Sequence, residues 1–102
     1  MQINNKIVNS TLYIGLSGEL DEHAAEYTRM SMDELLVSEN MRRVVIDMSD
    51  TSFMDSSGIG VLIGRFKKLK PRNIPVFIAN PSNHVDKILK MSGIYEIMPK
   101  IG

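Results

Sequence analysis

Two short apolar runs, Val44 to Met48 and Ile74 to Ala79, stand on either side of a segment with helical period. The first is β-branched and apolar almost throughout, and both are too short for a typical helix. That pattern suits strands buried in the middle of a sheet. Between them Ile59, Leu62, Ile63, Phe66 and Leu69 repeat at the spacing of one helical face. Pro71 closes that helix, because proline disfavours helix in the residue before it. Strand, helix, strand in that order implies a right-handed crossover within one sheet.

The flanking segments extend the same scheme. Leu12, Ile14 and Leu16 alternate with Tyr13, Gly15 and Ser17, the period-two mark of a half-buried strand. Ile3, Ile7 and Val8 give a weaker strand signal, with Asn9-Ser10 as the turn between the two. From about Glu22 to Ser38 the period becomes helical, with Ala25, Thr28, Met32, Leu35 and Leu36 on one face. Asp50-Thr51-Ser52 reads as loop, and Pro75 as the first position of its strand. Asn80 to Asn83 reads as a turn leading into a third helix, whose inner face is Val85, Ile88 and Leu89 and whose C-terminal stop is Gly93. Ile94 to Met98 reads as a last short strand. The expected fold class is α/β: a small mixed sheet of four to five strands with about three to four helices.

Length and charge bound the function. A chain of 102 residues is one domain by size. With no Cys, disulfide scaffolds, thiolate zinc sites and cysteine nucleophiles are excluded. Twelve Lys/Arg balance twelve Asp/Glu, which argues against coating nucleic acid or an anionic membrane. The first residues lack the basic and apolar regions of a signal peptide, and no apolar run approaches a membrane span. A soluble cytoplasmic domain without metal or cofactor is the expectation. His23 and His84 are the only histidines, too few for a zinc site unless acids join them. The glycines at 58, 60 and 64 miss the dinucleotide spacing, and there is no phosphate-loop motif.

The charge is unevenly distributed. Glu19 to Glu39 carries seven acids and one base, and Arg65 to Arg72 carries five bases and no acid. The basic run lies at the end of the second helix, where cations complement the macrodipole. Glu19, Asp21 and Glu22 crowd one strand-to-helix turn, and a docking surface for a basic partner competes there with a solvated helix start.

The densest signal is Phe53-Met54-Asp55-Ser56-Ser57-Gly58-Ile59-Gly60-Val61. Asp and Ser before an apolar helix are ordinary N-caps, and on residue chemistry alone capping is the leading reading. Three features strain it. Gly58 and Gly60 lie in the first turns, where each costs up to ~1 kcal/mol relative to alanine. Their return must be a close approach, by the sheet or by a partner, that a Cβ would prevent. Phe53 and Met54 put apolar bulk beside the cap. Two serines stand where one suffices. A serine here is also well placed to carry a phosphate, because the free N–H groups and the positive dipole end of a helix start can stabilise its oxygens; the group adds about −1.5 to −2 charges. Within the domain that charge changes little; in an interface it has no matched cation.

The stretch Phe53 to Lys67, FMDSSGIGVLIGRFK, resembles the signature of anti-sigma factor antagonists of the STAS superfamily, most of all its sporulation branch. Leu16 to Glu26, LSGELDEHAAE, resembles that family's first strand-to-helix turn, and Lys90 to Met98, KMSGIYEIM, its C-terminal segment. The resemblance implies a single STAS domain over residues 1–102, with helices mainly on one side of the sheet. It implies a partner switch and no enzymatic activity of its own. The unphosphorylated protein binds an anti-sigma factor that is a serine kinase, and so frees the sporulation sigma factor. The kinase phosphorylates the first serine of DSSG, which maps onto Ser56, and binding stops; a serine phosphatase restores it. In this scheme Asp55 and Ser57 shape the helix start, with Ser57 as the alternative acceptor. Gly58 and Gly60 keep the surface low, Ile59 supplies apolar contact, and Glu19 and Asp21 line the docking face. Two alternatives remain: an antagonist or scaffold of a general-stress pathway, and a small nucleotide-binding domain. The chain ends at Gly102, so the longer C-terminal helix of relatives is expected to be short or absent.

Overall fold

The strand Thr11–Leu20 (β2) is the spine of the sheet, because it pairs with three others. The computed structural model describes residues 1–38 and 40–102. Gln2–Val8 (β1) runs antiparallel to β2 through the two-residue turn at Asn9 and Ser10, both at positive φ (51° and 63°), the conformation that matches strand twist in a tight hairpin. Arg43–Asp47 (β3) lies parallel on the other side of β2, followed by Val76–Ala79 (β5) and Lys100–Ile101 (β6), giving the order β1-β2-β3-β5-β6. Thr51–Met54 (β4) sits off that path and pairs with the far end of β2.

Helices Glu22–Ser38 (α1), Ser56–Leu69 (α2) and Asn83–Ser92 (α3) connect successive parallel strands. Each right-handed crossover steps the same way along the sheet, which puts all three helices on one face. Leu12, Ile14, Leu16, Val44, Ile46, Val76 and Ile78 point to that face and are at most 1% exposed. Their neighbours Tyr13, Gly15, Asp47 and Phe77 remain partly open on the other face. Among the described residues no helix is long and apolar enough to cross a membrane.

Four local readings of the sequence change. The segment read as a loop at Asp50-Thr51-Ser52 leads into β4. Thr51 is buried and its hydroxyl donates to the Leu16 carbonyl at 2.8 Å, so a polar residue is what fastens this strand. Ile94 to Met98 is not a strand: Ile94–Glu96 is a 3-10 turn, and the Met98 N–H donates to the Ile94 carbonyl at 2.8 Å. Ile94 and Met98 are buried while Glu96 midway between them is exposed, which breaks strand alternation and fits a helical turn. Pro75 lies just before β5 rather than at its first position.

The fourth change concerns α2. Its buried stripe is Gly58, Val61, Leu62, Arg65 and Leu69, with Ile59, Ile63 and Phe66 only partly buried at its margin. Arg65, read as one of the cations that complement the macrodipole at the helix end, is 4% exposed. Its Nε lies 2.8 Å from Asp33 Oδ1 of α1, an ion pair without hydrogen-bond alignment, and Lys68 Nζ lies 3.0 Å from Asp33 Oδ2. Burial lowers the Arg65 guanidinium below its ordinary value, and Asp33 opposes that shift. Arg72 donates to the Leu36 carbonyl at 2.9 Å. Two of the five bases thus hold α2 against α1, and Arg72 ties the turn after α2 to the same helix. Glu39, the last acid of the acidic stretch, lies outside the described residues.

Candidate functional site

The site is assembled where β2 changes partners. At Gly18 the backbone takes φ of 112°, a value an L side chain resists, and the register of β2 shifts between Gly18 and Glu19. Gly18 N–H donates to Asp50 O at 3.0 Å. Beyond this bulge β2 leaves β3 and pairs with β4, Glu19 with Phe53 and Leu20 with Met54. The Asp55 N–H then reaches the Leu20 carbonyl at 3.4 Å. The two strand ends are thereby locked side by side, and α1 and α2 start next to each other.

Asp55 is the N-cap of α2. Its backbone is extended, and its carboxylate accepts from the Ser57 N–H at 2.9 Å. Its carbonyl accepts from the Gly58 and Ile59 N–H groups at 3.0 and 3.3 Å. Ser56 is the first helical residue and is exposed, and among the described residues neither its hydroxyl nor its N–H has a hydrogen-bond partner. Ser57 is half-buried. The two serines therefore differ: one is presented outward, and the other is turned partly into the domain.

This cap changes what a phosphate on Ser56 would meet. The sequence suggested free helix N–H groups ready to hold its oxygens. Three of the first four are engaged by Asp55, and the Asp55 carboxylate stands beside the serine. The dianion would stay turned to solvent as a local negative charge.

The two glycines divide in role. A Cβ on Gly58 would lie 2.6 Å from Met54 Cγ and 2.9 Å from both Leu20 Cγ and Leu20 O, so its missing side chain admits the sheet, not a partner. A Cβ on Gly60 would meet nothing within 4 Å, and this glycine lies on the surface. Ile59 is half-buried and packs against the core.

The acids converge on the same corner. Glu19 is exposed beside Phe53, and Asp21 Oδ1 accepts from the Ala24 N–H at 3.0 Å, capping α1. Glu19, Asp21, His23 and Ala24 line a shallow depression of about 330 Å³ with Met1. Among the described residues no three His, Asp or Glu side chains cluster as a metal site would require. Glu19, Asp21, Asp55, Ser56 and Gly60 thus share one end of the molecule, while Gly58 and most of Ile59 face inward.

Two residues at this corner were not assigned to the site from the sequence. Of the pair Phe53 and Met54, Met54 is core at 1% exposure, whereas Phe53 is 40% exposed. The Phe53 ring stacks on His84 of α3, with centroids 6.2 Å apart and planes at 29°. The alternation of a strand signals the exposure of one of the pair, but nothing local signals His84.

A family model described as STAS domain matches residues 2–102. The chain belongs to the STAS family. This STAS domain is 35% identical over 99 residues to an anti-sigma F factor antagonist of Paenibacillus polymyxa, a match covering 97% of this chain and 85% of the relative. It superposes on the anti-sigma factor antagonist SpoIIAA in its unphosphorylated form with a TM-score of 0.82 at 30% identity, covering 99% of this chain and 89% of that one. With the phosphorylated form of the Bacillus cell fate determinant SpoIIAA the TM-score is 0.73 at 29% identity, covering 99% and 92%. Among these relatives the STAS domain groups with the anti-sigma factor antagonists, and the mixed sheet with helices on one side agrees with the fold expected from the sequence.

Proposed function

We propose that this STAS domain is an anti-sigma factor antagonist whose binding is switched off by phosphate on Ser56. The unphosphorylated form binds an anti-sigma factor that is also a serine kinase, and the sporulation sigma factor is released. The kinase then transfers the γ-phosphoryl group of ATP to Ser56 Oγ, which gives up its proton. A serine phosphatase hydrolyses the ester and restores binding. The antagonist supplies the acceptor and the docking surface, and no catalytic group. It works in the cytoplasm, without metal or cofactor.

The observation that carries this reading is the outward hydroxyl of Ser56 at the start of a well-capped helix. The helix is fastened by Asp55, so the added charge acts on a partner rather than on the fold. An interface that desolvates a dianion with no matched cation loses several kcal/mol, and ~1.4 kcal/mol already changes affinity tenfold.

The test uses purified protein, its cognate anti-sigma factor kinase and ATP. One phosphate is expected on Ser56 by peptide mass spectrometry. Ser56→Asp is expected to fold and not bind, and Ser56→Ala to bind and resist switching. Phosphate on Ser57, or none, refutes the proposal.

A further inference from the structure

We infer that Phe53, held by His84, is the apolar anchor of the surface that docks the anti-sigma factor. The inference rests on the reading of Ser56 above and adds residues to its docking face. Phe53 alternates with the buried Met54 along β4, so its ring projects outward from the strand. In the parallel register it stands beside Glu19. The exposed His84, in the first turn of α3, stacks on the ring. Glu19, Phe53 and His84 thus form a row across three elements, an acid, an aromatic ring and an imidazole.

The row lies within reach of a kinase that docks on Ser56. Three residues of chain span at most ~10 Å, so Phe53 lies within that distance of the acceptor backbone. A docked protein covers ~800 Å² of each partner. The most exposed apolar group of α1 lacks this proximity. Tyr27, Met30 and Val37 are 58%, 53% and 83% exposed on α1, but Val37 lies about 22 Å along that helix from its start.

The chemistry suits an anchor. Aromatic side chains are enriched among residues that dominate binding energy, and they sit at the centre of a polar rim. Here the rim is acidic, with Glu19 exposed, Asp21 half-buried and Glu22 exposed. The complementary surface on the kinase is an apolar recess framed by Lys or Arg. The His84 stack restricts the Phe53 ring before binding, which reduces the ordering that association would otherwise require. A phosphate on Ser56 would add a dianion at the edge of this recess, whose cations are already paired with the acids of this face, so the new charge has no match.

The experiment measures binding of the full chain to the cognate kinase by calorimetry, with Ser56 phosphorylation followed in parallel. Phe53→Thr, which keeps a strand-forming residue, is expected to weaken binding at least tenfold. His84→Ala is expected to weaken it about threefold to tenfold, and His84→Tyr, which restores a stacking ring, to recover most of that loss. Val37→Ser serves as a remote apolar control and is expected to bind as the parent does. Melting temperatures separate a lost contact from a lost fold; where Phe53→Thr does not fold, the exposed His84 pair decides. Parent-like affinity in both Phe53→Thr and His84→Ala overturns the inference, even with Ser56 phosphorylated normally. Weakened binding with no phosphate on Ser56 upholds the anchor and refutes the phosphoacceptor reading instead. No binding by the parent chain overturns both.

Discussion

Alanine at the two glycines of the α2 start should move stability in opposite directions. At Gly58 the new methyl would sit 2.6 Å from Met54 Cγ and 2.9 Å from Leu20 Cγ and Leu20 O. Carbon atoms prefer ~3.5–4.0 Å, so three groups must yield at once. None does so easily: Met54 and Leu20 are at most 1% exposed, and the Leu20 carbonyl is engaged by the Asp55 N–H. Overpacking of this kind costs about 1–3 kcal/mol, and the better helix propensity of alanine returns up to ~1 kcal/mol. A net loss of about 1–2 kcal/mol follows. At Gly60 a methyl meets nothing within 4 Å, so only the propensity gain remains, about 0.5–1 kcal/mol. Each kcal/mol moves the melting temperature of a domain this size by ~4–8 °C. Urea titrations with an unchanged slope measure both changes. Equal stability of Gly58→Ala and the parent, or a loss at Gly60→Ala like that at Gly58→Ala, would refute the division of roles. If Gly60 also lies beneath the docked kinase, the stabilised Gly60→Ala protein binds more weakly than the parent.

Three further outcomes are expected. Asp55→Ala removes the acceptor for the Ser57 N–H and should cost ~1 kcal/mol by thermal unfolding. Asp33→Ala leaves Arg65 buried without its counter-ion and should cost ~3–5 kcal/mol, whereas replacing both residues by apolar ones of similar size should recover most of that loss in a double-mutant cycle. Asp86 accepts a hydrogen bond from the Tyr95 hydroxyl at 2.6 Å and pairs with Lys100 and Lys90, and the Tyr95 bond above all lowers its carboxyl to about 2. Its contribution is therefore fully present above the ordinary carboxyl value near ~3.9 and fades as pH falls toward 2. Asp86→Asn should flatten the acid limb of the stability curve between those values, as followed by circular dichroism.

The strand and helix order was legible because period two and period 3.6 occupy separate segments. Helix α1 reads from Glu22 to Ser38 in both sequence and structure. What stayed hidden lies where a long-range partner decides. Thr51–Met54 is a strand of four residues with a buried threonine, too short for its period to register before β2 is in place beside it. The buried stripe of α2 contains Gly58 and Arg65, neither of which looks like core. The first is inside because the sheet presses on it, and the second because Asp33 from α1 meets it. At the candidate site, the Asp55 cap was readable from local chemistry. The Phe53–His84 stack was not, since α3 returns to β4 only after thirty intervening residues.

The kink at Gly18 divides β2 into two lengths with different duties. The first five residues, Thr11 to Gly15, are gripped by neighbours on both sides, while the last three, Gly18, Glu19 and Leu20, ride with β4. The tip is therefore a short beam, clamped at its root by the main sheet and tied at its far end to β4, where α1 and α2 begin. Changes in the root alter how firmly the beam is held, and changes at the hinge alter where it aims.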